Sequence, residues 1–424
     1  MKKQLILLTF ITVSIFLFLE LFLGFRAFLR GGLSYDSMML SDWFINYEGG
    51  FVRRGLIGEI FLELFRIVPY SIIKIIIAIY LVSLCTLLYI LYHVFKKNGW
   101  SFFISIFPVC IFISFLGVRR DYIMLILCFI VFMLFKDFLY TKRISKIVLC
   151  NVISSAAIMM HEVYFFFTIP ILIVLSYTKH KKANIKSIIF PILILLPSFV
   201  TMYLVCVYKG DMGIAQAIWE SWTPYFTDYP LSEKIPQMGQ AVEWLSYDTS
   251  YAIPFHINKF WLSSFLPGIP SLPVNLYVIA CTYIIITRLN TINISFWPIQ
   301  SIDSQKLGSI LLLQFIFLMP MFGFLSCDFG RIIMYWTLSS LFAYHWFSKD
   351  IQFPFCLLNI SYKIQSVIDK TKVVSNKWIY ITILLTLPIG RVGGADFLSL
   401  FAFIPYGWRL SFWNNLLGYL SFVQ

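Results

Sequence analysis

Long apolar runs alternate with short polar segments along the whole chain, which is the pattern of helices that cross a membrane. Eleven runs are long enough, or nearly long enough, to span: 5–25, 71–95, 102–117, 122–135, 147–160, 163–178, 187–208, 268–287, 307–326, 332–347 and 378–390. A further stretch, 397–424, is interrupted by Pro405, Gly407 and Arg409 and is either a twelfth helix or a re-entrant segment. The sequence therefore predicts an all-α polytopic membrane protein with about 11–12 transmembrane helices in one domain, 1–424.

Composition supports this class. Hydrophobic residues make up 60% of the chain and the mean hydropathy is +0.83, far above the values of soluble domains. The net charge of +13 would indicate nucleic-acid binding in a soluble protein, but here we assign the excess to cytoplasmic loops, so nucleic acid is not implied. The eight cysteines are scattered without metal-ligand spacing, and we assign no metal and no disulfide.

The two kinds of cation divide between the two sides of the predicted membrane. With the N-terminus in the cytoplasm, the cytoplasmic segments hold 17 of the 21 lysines but only two arginines, Arg143 and Arg288. Nine of the twelve arginines fall outside: Arg26, Arg30, Arg53, Arg54, Arg66, Arg119, Arg120, Arg331 and Arg391. Each could pair with an outer carboxylate, but as a set they favour a site for phosphate or carboxylate groups, because arginine makes planar bidentate contacts to both.

Five motifs are predicted on that outer face: "GFVRRGL" (50–56), "GVRRDY" (117–122), "MMHEVY" (159–164), "CDFGR" (327–331) and "GRVGGAD" (390–396). Together they have the groups needed to bind a diphosphate and to move a proton. The candidate anion-binding residues are Arg53, Arg54, Arg119, Arg120, Arg331 and Arg391. Their candidate acidic partners are Asp121, Asp328 and Asp396.

The first outer loop, 26–70, carries Asp36 and Asp42, and after them a predicted amphipathic helix from Leu56 to Val68 that would lie in the outer interface. The glycines before this helix would let its first N–H groups bind an anion beside Arg53 and Arg54. The alternative is a solvated hairpin whose arginines contact lipid headgroups.

Two further features have both a functional and a structural interpretation. His161 could act as a general base assisted by Glu162, or be a buried structural histidine. The longest outer loop, 208–267, is rich in aromatic and acidic residues but has no arginine. Its tryptophans and tyrosines could stack on sugar rings, or could form the interfacial aromatic belt of any membrane protein.

In layout, and in these short motifs, the chain resembles bacterial O-antigen polymerases and the related GT-C-type glycosyltransferases that use polyprenyl-linked sugars. The resemblance implies a GT-C-like fold in the bacterial inner (cytoplasmic) membrane with its active face in the periplasm. It also implies that Asp36 or Asp42 is the catalytic base and that the outer arginines bind the lipid-linked diphosphate. One departure is the long loop without arginine, since those polymerases often carry arginine there.

The resemblance implies polymerisation of undecaprenyl-diphosphate-linked repeat units, with a chain-length regulator protein as a possible partner. No cofactor is required, although Mg²⁺ between Asp36 and Asp42 is compatible with the residues. The alternatives are another GT-C-type transferase that uses a polyprenyl-phosphate sugar, or a flippase for lipid-linked oligosaccharides. A flippase needs charge along its whole path, whereas the predicted runs here are nearly uncharged, and this favours an enzyme working on one face.

Overall fold

The computed structural model describes most of the central part of the chain and only short pieces near its two ends. The described residues are 14, 17–18, 21–22, 24–29, 38–67, 72–98, 118–178, 185–225, 240–262, 264–266, 269–288, 303–326, 329–348, 355–370, 388–392 and 396–399. The predicted run 102–117, most of 378–390 and nearly all of 397–424 therefore lie outside the described residues.

Helices dominate the described chain. They are α1 (Met38–Ser41), α2 (Gly55–Ile67), α3 (Ile72–Asn98), α4 (Asp121–Thr141), α5 (Ile144–Met160), α6 (Val163–Thr178), α7 (Ile185–Ile194), α8 (Leu196–Val207), α9 (Met212–Trp222), α10 (Gln240–Glu243), α11 (Thr249–Ile257), α12 (Ser271–Arg288), α13 (Ser304–Leu318), α14 (Phe329–Phe347) and α15 (Phe355–Lys370). Two short antiparallel pairs accompany them: β1 (Ser264–Leu266) with β2 (Ile269–Pro270), and β3 (Pro388–Val392) with β4 (Asp396–Ser399).

Three of these helical stretches are long and apolar enough to cross a membrane, by length and composition: Ile72–Val94, Asp121–Thr141 and Ser304–Met321. Four shorter apolar helices accompany them among the described residues: Ile144–Met160, Val163–Tyr177, Leu196–Val207 and Asn275–Thr287. These apolar helices indicate a helical membrane-associated protein, as the sequence predicts.

Apolar side chains on several faces of one helix force it into the middle of the bundle. α4 buries residues all round, Met124, Val131 and Phe135 among them, and packs against α3, α5 and α14. α13 packs against α6, α14 and α15. Between these helices, the Gln314 side-chain amide nitrogen donates to the carbonyl of Phe167 at 2.8 Å and to Ser339 Oγ at 2.8 Å, which gives partners to both N–H groups of a fully buried side chain.

Several predicted boundaries differ from those observed, and each difference has a local cause. The run 187–208 is divided into α7 and α8 at Leu195, two residues before Pro197, which lacks the N–H that a continuous helix needs. The run 307–326 ends as an α-helix at Leu318, because Pro320 and the positive φ of Gly323 turn the chain. The stretch between the predicted runs 332–347 and 378–390, where no helix is predicted, contains the amphipathic helix α15.

The helix predicted from Leu56 to Val68 is present as α2, and its faces are distinct. Its place in the outer interface stays a prediction. Phe61, Leu62 and Phe65 are buried against the protein, whereas Ile60, Leu64 and Ile67 are exposed beside Glu63 and Arg66. Gly58 lies against the preceding segment so closely that an added Cβ would be 2.0 Å from the carbonyl oxygen of Ile45. The helix can dock here only because position 58 has no side chain.

We expect Gly58→Ala to lower the melting temperature of the detergent-solubilised protein, because the new methyl group meets backbone that cannot move without shifting α2. Overpacking of this kind costs about 1–3 kcal/mol. The matched control is Gly213→Ala in α9, where the nearest atom, Asp211 Oδ1, is 3.3 Å from the added Cβ. Equal melting temperatures for the two variants would contradict the close docking of α2.

Candidate functional site

The segment that precedes α2 is anchored on three sides. Trp43 Nε1 donates to the carbonyl of Val118 at 2.7 Å, and Trp222 Nε1 donates to the carbonyl of Phe44 at 2.6 Å. The backbone N–H of Ala241 donates to Ser41 Oγ at 3.0 Å. Residues from the start of α4, from α9 and from α10 therefore fix residues 41–46, which the sequence predicted only as part of an outer loop.

Asp42 and Arg120 form an ion pair inside the protein. Arg120 Nε donates to Asp42 Oδ2 at 3.0 Å, and Arg120 Nη2 lies 2.6 Å from Asp42 Oδ1. Arg120 is 1% exposed and Asp42 is 8% exposed. Arg120 Nη1 also donates to the carbonyl oxygen of Arg54 at 3.0 Å. Burial raises the pKa of Asp42, but Arg120 and then Arg54 outweigh it and hold that pKa far below its usual value.

Arg54 adopts a left-handed backbone conformation, with φ at 68°, that is rare for a residue with a side chain. Its carbonyl oxygen accepts from Arg120, and its guanidinium forms a bidentate pair with Glu162, with Nε to Oε2 at 2.9 Å. Arg54 Nη1 lies 3.9 Å from Asp42 Oδ1 as well. The two contacts hold both ends of the residue, and so they stabilise a conformation that would otherwise be unfavourable.

A second carboxylate near the site holds Arg331. Arg331 Nη2 lies 2.7 Å from Asp121 Oδ1, and Tyr335 also donates to that carboxylate. Asp121 is the first residue of α4 and Arg331 lies in the first turn of α14. Asp121, which follows Arg120 in the sequence, thus holds Arg331 from the distant motif "CDFGR".

Three of the five predicted motifs line one cavity of about 440 Å³, and a fourth, "GVRRDY", lies behind it. Arg53 and Arg54, His161 and Glu162, and Arg331 line it from one side. Lys209, Trp244, Tyr247, Phe255, His256 and Lys259 line it from the segment 208–262. Among the described lining residues, five side chains are cationic and one, Glu162, is a carboxylate, so the cavity favours an anion.

His161 stands at the break between α5 and α6, where its backbone is extended. The imidazole is 5% exposed, and Nδ1 accepts from the backbone N–H of Val163 at 3.3 Å. Burial and the neighbouring Arg54 hold the pKa of His161 well below its usual value. Burial opposes ionisation of Glu162 too, but the charge and hydrogen bonds of Arg54 outweigh it and lower the pKa of Glu162 well below the usual range.

The predicted site residues have different positions in the structure. Arg53, Arg54, His161, Glu162 and Arg331 line the cavity. Asp42, Arg120 and Asp121 lie behind it and hold those residues, and Arg119 is half-buried next to Arg120. Asp36 and Asp328 lie outside the described residues, whereas Arg391 and Asp396 are in the β3–β4 pair, where only the backbone is described.

Three cationic or titratable residues of the cavity were missed at the sequence level: Lys209, His256 and Lys259. The sequence held a signal for the two lysines. Only four of the 21 lysines fall outside the predicted cytoplasmic segments, and three of those four lie in 208–267. The predicted anion site consisted of arginines alone, and so it did not include these lysines. The aromatic residues of that loop also separate: Trp219 and Trp222 are buried in the core, and Trp244 lines the cavity.

Within the described ranges, no group of three or more His, Cys, Asp or Glu side chains is placed to hold a metal ion. A Mg²⁺ ion between Asp36 and Asp42 stays a prediction, since Asp36 lies outside those ranges. In comparisons with protein-family models, with curated proteins and with solved structures, nothing matches the chain.

The neutral state of His161 has a measurable consequence for stability. Unfolded histidine takes up a proton near pH 6.5, whereas folded His161 resists it, so the unfolded state binds more protons and stability falls as pH drops below 6.5. Between pH 7.5 and 5.5, we expect the wild type to lose about 2–4 °C more in melting temperature than His161→Gln, which cannot titrate. Equal losses would contradict the buried neutral imidazole.

Proposed function

We propose that the protein is a membrane glycosyltransferase that takes a polyprenyl-diphosphate-linked sugar as donor, and that it polymerises surface-polysaccharide repeat units at the periplasmic face of the inner membrane. The observation that carries the proposal is the cavity with five cationic side chains, one carboxylate and an aromatic wall formed by Trp244, Tyr247 and Phe255. A phosphorylated group suits the cations and a sugar ring suits the aromatic wall. The apolar helices around it suit the lipid.

Arg53 and Arg54 bind the diphosphate in this proposal. Arg53 Nη2 donates to the carbonyl of Trp244 at 3.1 Å, while its Nε is buried without a hydrogen-bond partner among the described residues. Arg54 is paired on one side with Glu162. Because the structure holds these guanidinium groups before any ligand binds, they stabilise negative charge on the leaving group with little reorganisation.

In the transfer step, an acceptor hydroxyl oxygen bonds to the anomeric carbon of the donor sugar. The bond from that carbon to the diphosphate oxygen breaks, and its electron pair stays on the diphosphate. The hydroxyl proton leaves to a carboxylate and then to water. Glu162 is the described carboxylate that lines the cavity, whereas Asp42 has both oxygens against Arg120. We therefore assign Asp42 a positioning role, and Asp36 remains the other candidate base.

The aromatic wall is the proposed binding site of the acceptor sugar. Trp244 stacks on His256 with ring centroids 5.5 Å apart and 17° between the planes, and Tyr247 lies next to Trp244. Flat aromatic faces bind the apolar faces of sugar rings with limited dependence on their hydroxyl pattern. A chain-length regulator would meet the growing polymer outside this wall.

We expect Arg54→Ala to remove long surface polysaccharide, by a factor of at least about 100, because it deletes a charge that stabilises the leaving group. The swap Arg54→Glu with Glu162→Arg should restore the ion pair and the protein level without restoring polymer, since it displaces the cation and also removes the candidate base Glu162. The measurement is the glycan ladder of a complemented deletion strain, with protein level by immunoblot.

The matched control for this experiment is Arg66→Ala, which removes an arginine of the same loop that pairs with Glu48 and Glu63 at the surface. It should give a normal ladder. Long polymer from Arg54→Ala would show that Arg54 is not needed, and long polymer from the swapped pair would show that it acts only through its ion pair. Either result would remove the main support for diphosphate binding.

The side of the cavity can be tested separately. In a background without native cysteines, Lys259→Cys at the cavity should react in intact cells with a thiol reagent that passes the outer but not the inner membrane, and Lys370→Cys at the end of α15 should not. Reaction at position 370 with protection at position 259 would place the cavity in the cytoplasm.

A further inference from the structure

The hydrogen bond at Nδ1 assigns the tautomer of His161. The backbone N–H of Val163, at the start of α6, donates to Nδ1 at 3.3 Å, so this nitrogen has to present its lone pair. The first N–H groups of a helix have no partner inside the helix, and here the imidazole supplies one. In a neutral imidazole with an accepting Nδ1, the proton is on Nε2.

Glu162 offers the competing arrangement. Its Oε2 lies 3.4 Å from His161 Nδ1, and a proton on Nδ1 would face it. However, both carboxylate oxygens of Glu162 already accept from Arg54, and a proton on Nδ1 would point towards the N–H of Val163. The arrangement with Nε2–H satisfies the backbone donor and leaves the Arg54–Glu162 pair intact.

The proton on Nε2 has no acceptor among the described residues. Buried donors in folded proteins nearly always have a partner, so an unused N–H on a residue that lines a cavity indicates an acceptor that comes with a ligand. Nε2 is shielded from solvent, and the ligand therefore reaches it by displacing neighbouring groups. Arg54 and Arg331, which line the same cavity, are the cations that an anionic ligand attracts.

The charged groups that act on the imidazole from the surrounding elements are Arg54 before α2, Glu162 at the start of α6, Arg331 on α14 and Asp42 before α2. The two arginines disfavour a second proton on the ring, and burial disfavours it further, so the pKa of His161 stays well below its usual value. The ring is neutral at physiological pH, and a neutral imidazole can act as a hydrogen-bond donor in an active site.

We propose that His161 is a neutral hydrogen-bond donor, and that its Nε2–H binds an oxygen of the substrate diphosphate instead of accepting the proton of the acceptor hydroxyl. This rests on the proposed function for the identity of the ligand, whereas the tautomer and the donor role rest on the geometry. As the bond from the sugar to the diphosphate breaks, negative charge grows on the oxygen that leaves, and a donor fixed beside it stabilises that charge.

Two substitutions separate a donor from a base. Glutamine can place an amide N–H near the position of Nε2 but cannot accept a proton near neutral pH, and leucine can do neither. We expect His161→Leu to lose about 100-fold or more in kcat and His161→Gln to keep activity within about tenfold of the wild type. The matched control is His93→Gln on the exposed face of α3, which should leave kcat unchanged.

The assay uses the full-length protein in lipid nanodiscs with a polyprenyl-diphosphate-linked repeat unit. If His161 were the base, glutamine and leucine would be equally inactive, and the acidic limb of the pH profile of kcat would move in any residual activity. If His161 is the donor, that limb is the same in the wild type and in His161→Gln. Equal loss in the two variants overturns the donor role.

A second measurement does not depend on turnover. In protein labelled with ¹⁵N-histidine, nuclear magnetic resonance should show one protonated nitrogen, Nε2, for His161 at pH 7, and His161→Gln identifies its signals among those of the five histidines. Farnesyl diphosphate should shift the Nε2–H signal, and farnesol, which lacks the diphosphate, should not. A proton on Nδ1, a doubly protonated ring, or no shift with farnesyl diphosphate overturns the inference.

These results keep the two proposals apart. A protein that transfers no sugar but shows the Nε2–H tautomer and the diphosphate-dependent shift retains the donor site and loses the proposed function. A protein that transfers sugar while His161 carries its proton on Nδ1 retains the function and loses the donor.

Discussion

Arg120 has almost no contact with solvent, and a buried positive charge has to be paired and hydrogen-bonded to be tolerated. Asp42 supplies the pairing charge, and the carbonyl oxygen of Arg54 accepts a hydrogen bond from Arg120 Nη1. This requirement fixes the chain at residue 54, because the backbone there must present its carbonyl inward. The left-handed conformation of Arg54 follows, and so does the direction in which its side chain reaches Glu162.

The same pairing determines the charge that the cavity presents. Asp42 and Asp121 are each engaged with an arginine behind or beside the cavity, and neither lines it. Glu162 lines it but is neutralised by Arg54. Cationic side chains outnumber carboxylates among the described lining residues, so the wall is positive on balance, and a neutral His161 neither adds to that charge nor offsets it. The positive charge of this wall is in place before a ligand binds, and it favours an anion.

Periodicity predicted α2 closely, because the pattern of apolar and polar positions that forms a helix is local. The apolar and polar stripes of Leu56 to Val68 fix α2 within one residue at each end. The pairings were not predictable, since nothing in "GFVRRGL" indicates that Arg54 meets Glu162, 108 residues away, while Arg53 meets the carbonyl of Trp244. Which arginines are buried and which line the cavity depends on how distant helix ends meet. α15 was missed because its polar face resembles a loop.

Two elements beside the cavity are held with different strength. The segment that precedes α2 is anchored by a buried ion pair and by fully buried tryptophans. On the opposite side, α11 has no buried residue, and its approach to the rest of the protein includes the solvent-exposed pair of Lys209 with Asp248. Exposed ion pairs contribute little to stability, so α11 is held less firmly than the segment that precedes α2. A firmly anchored anion site next to a less firmly held helix suits a substrate whose phosphate is constant and whose sugar is bulky.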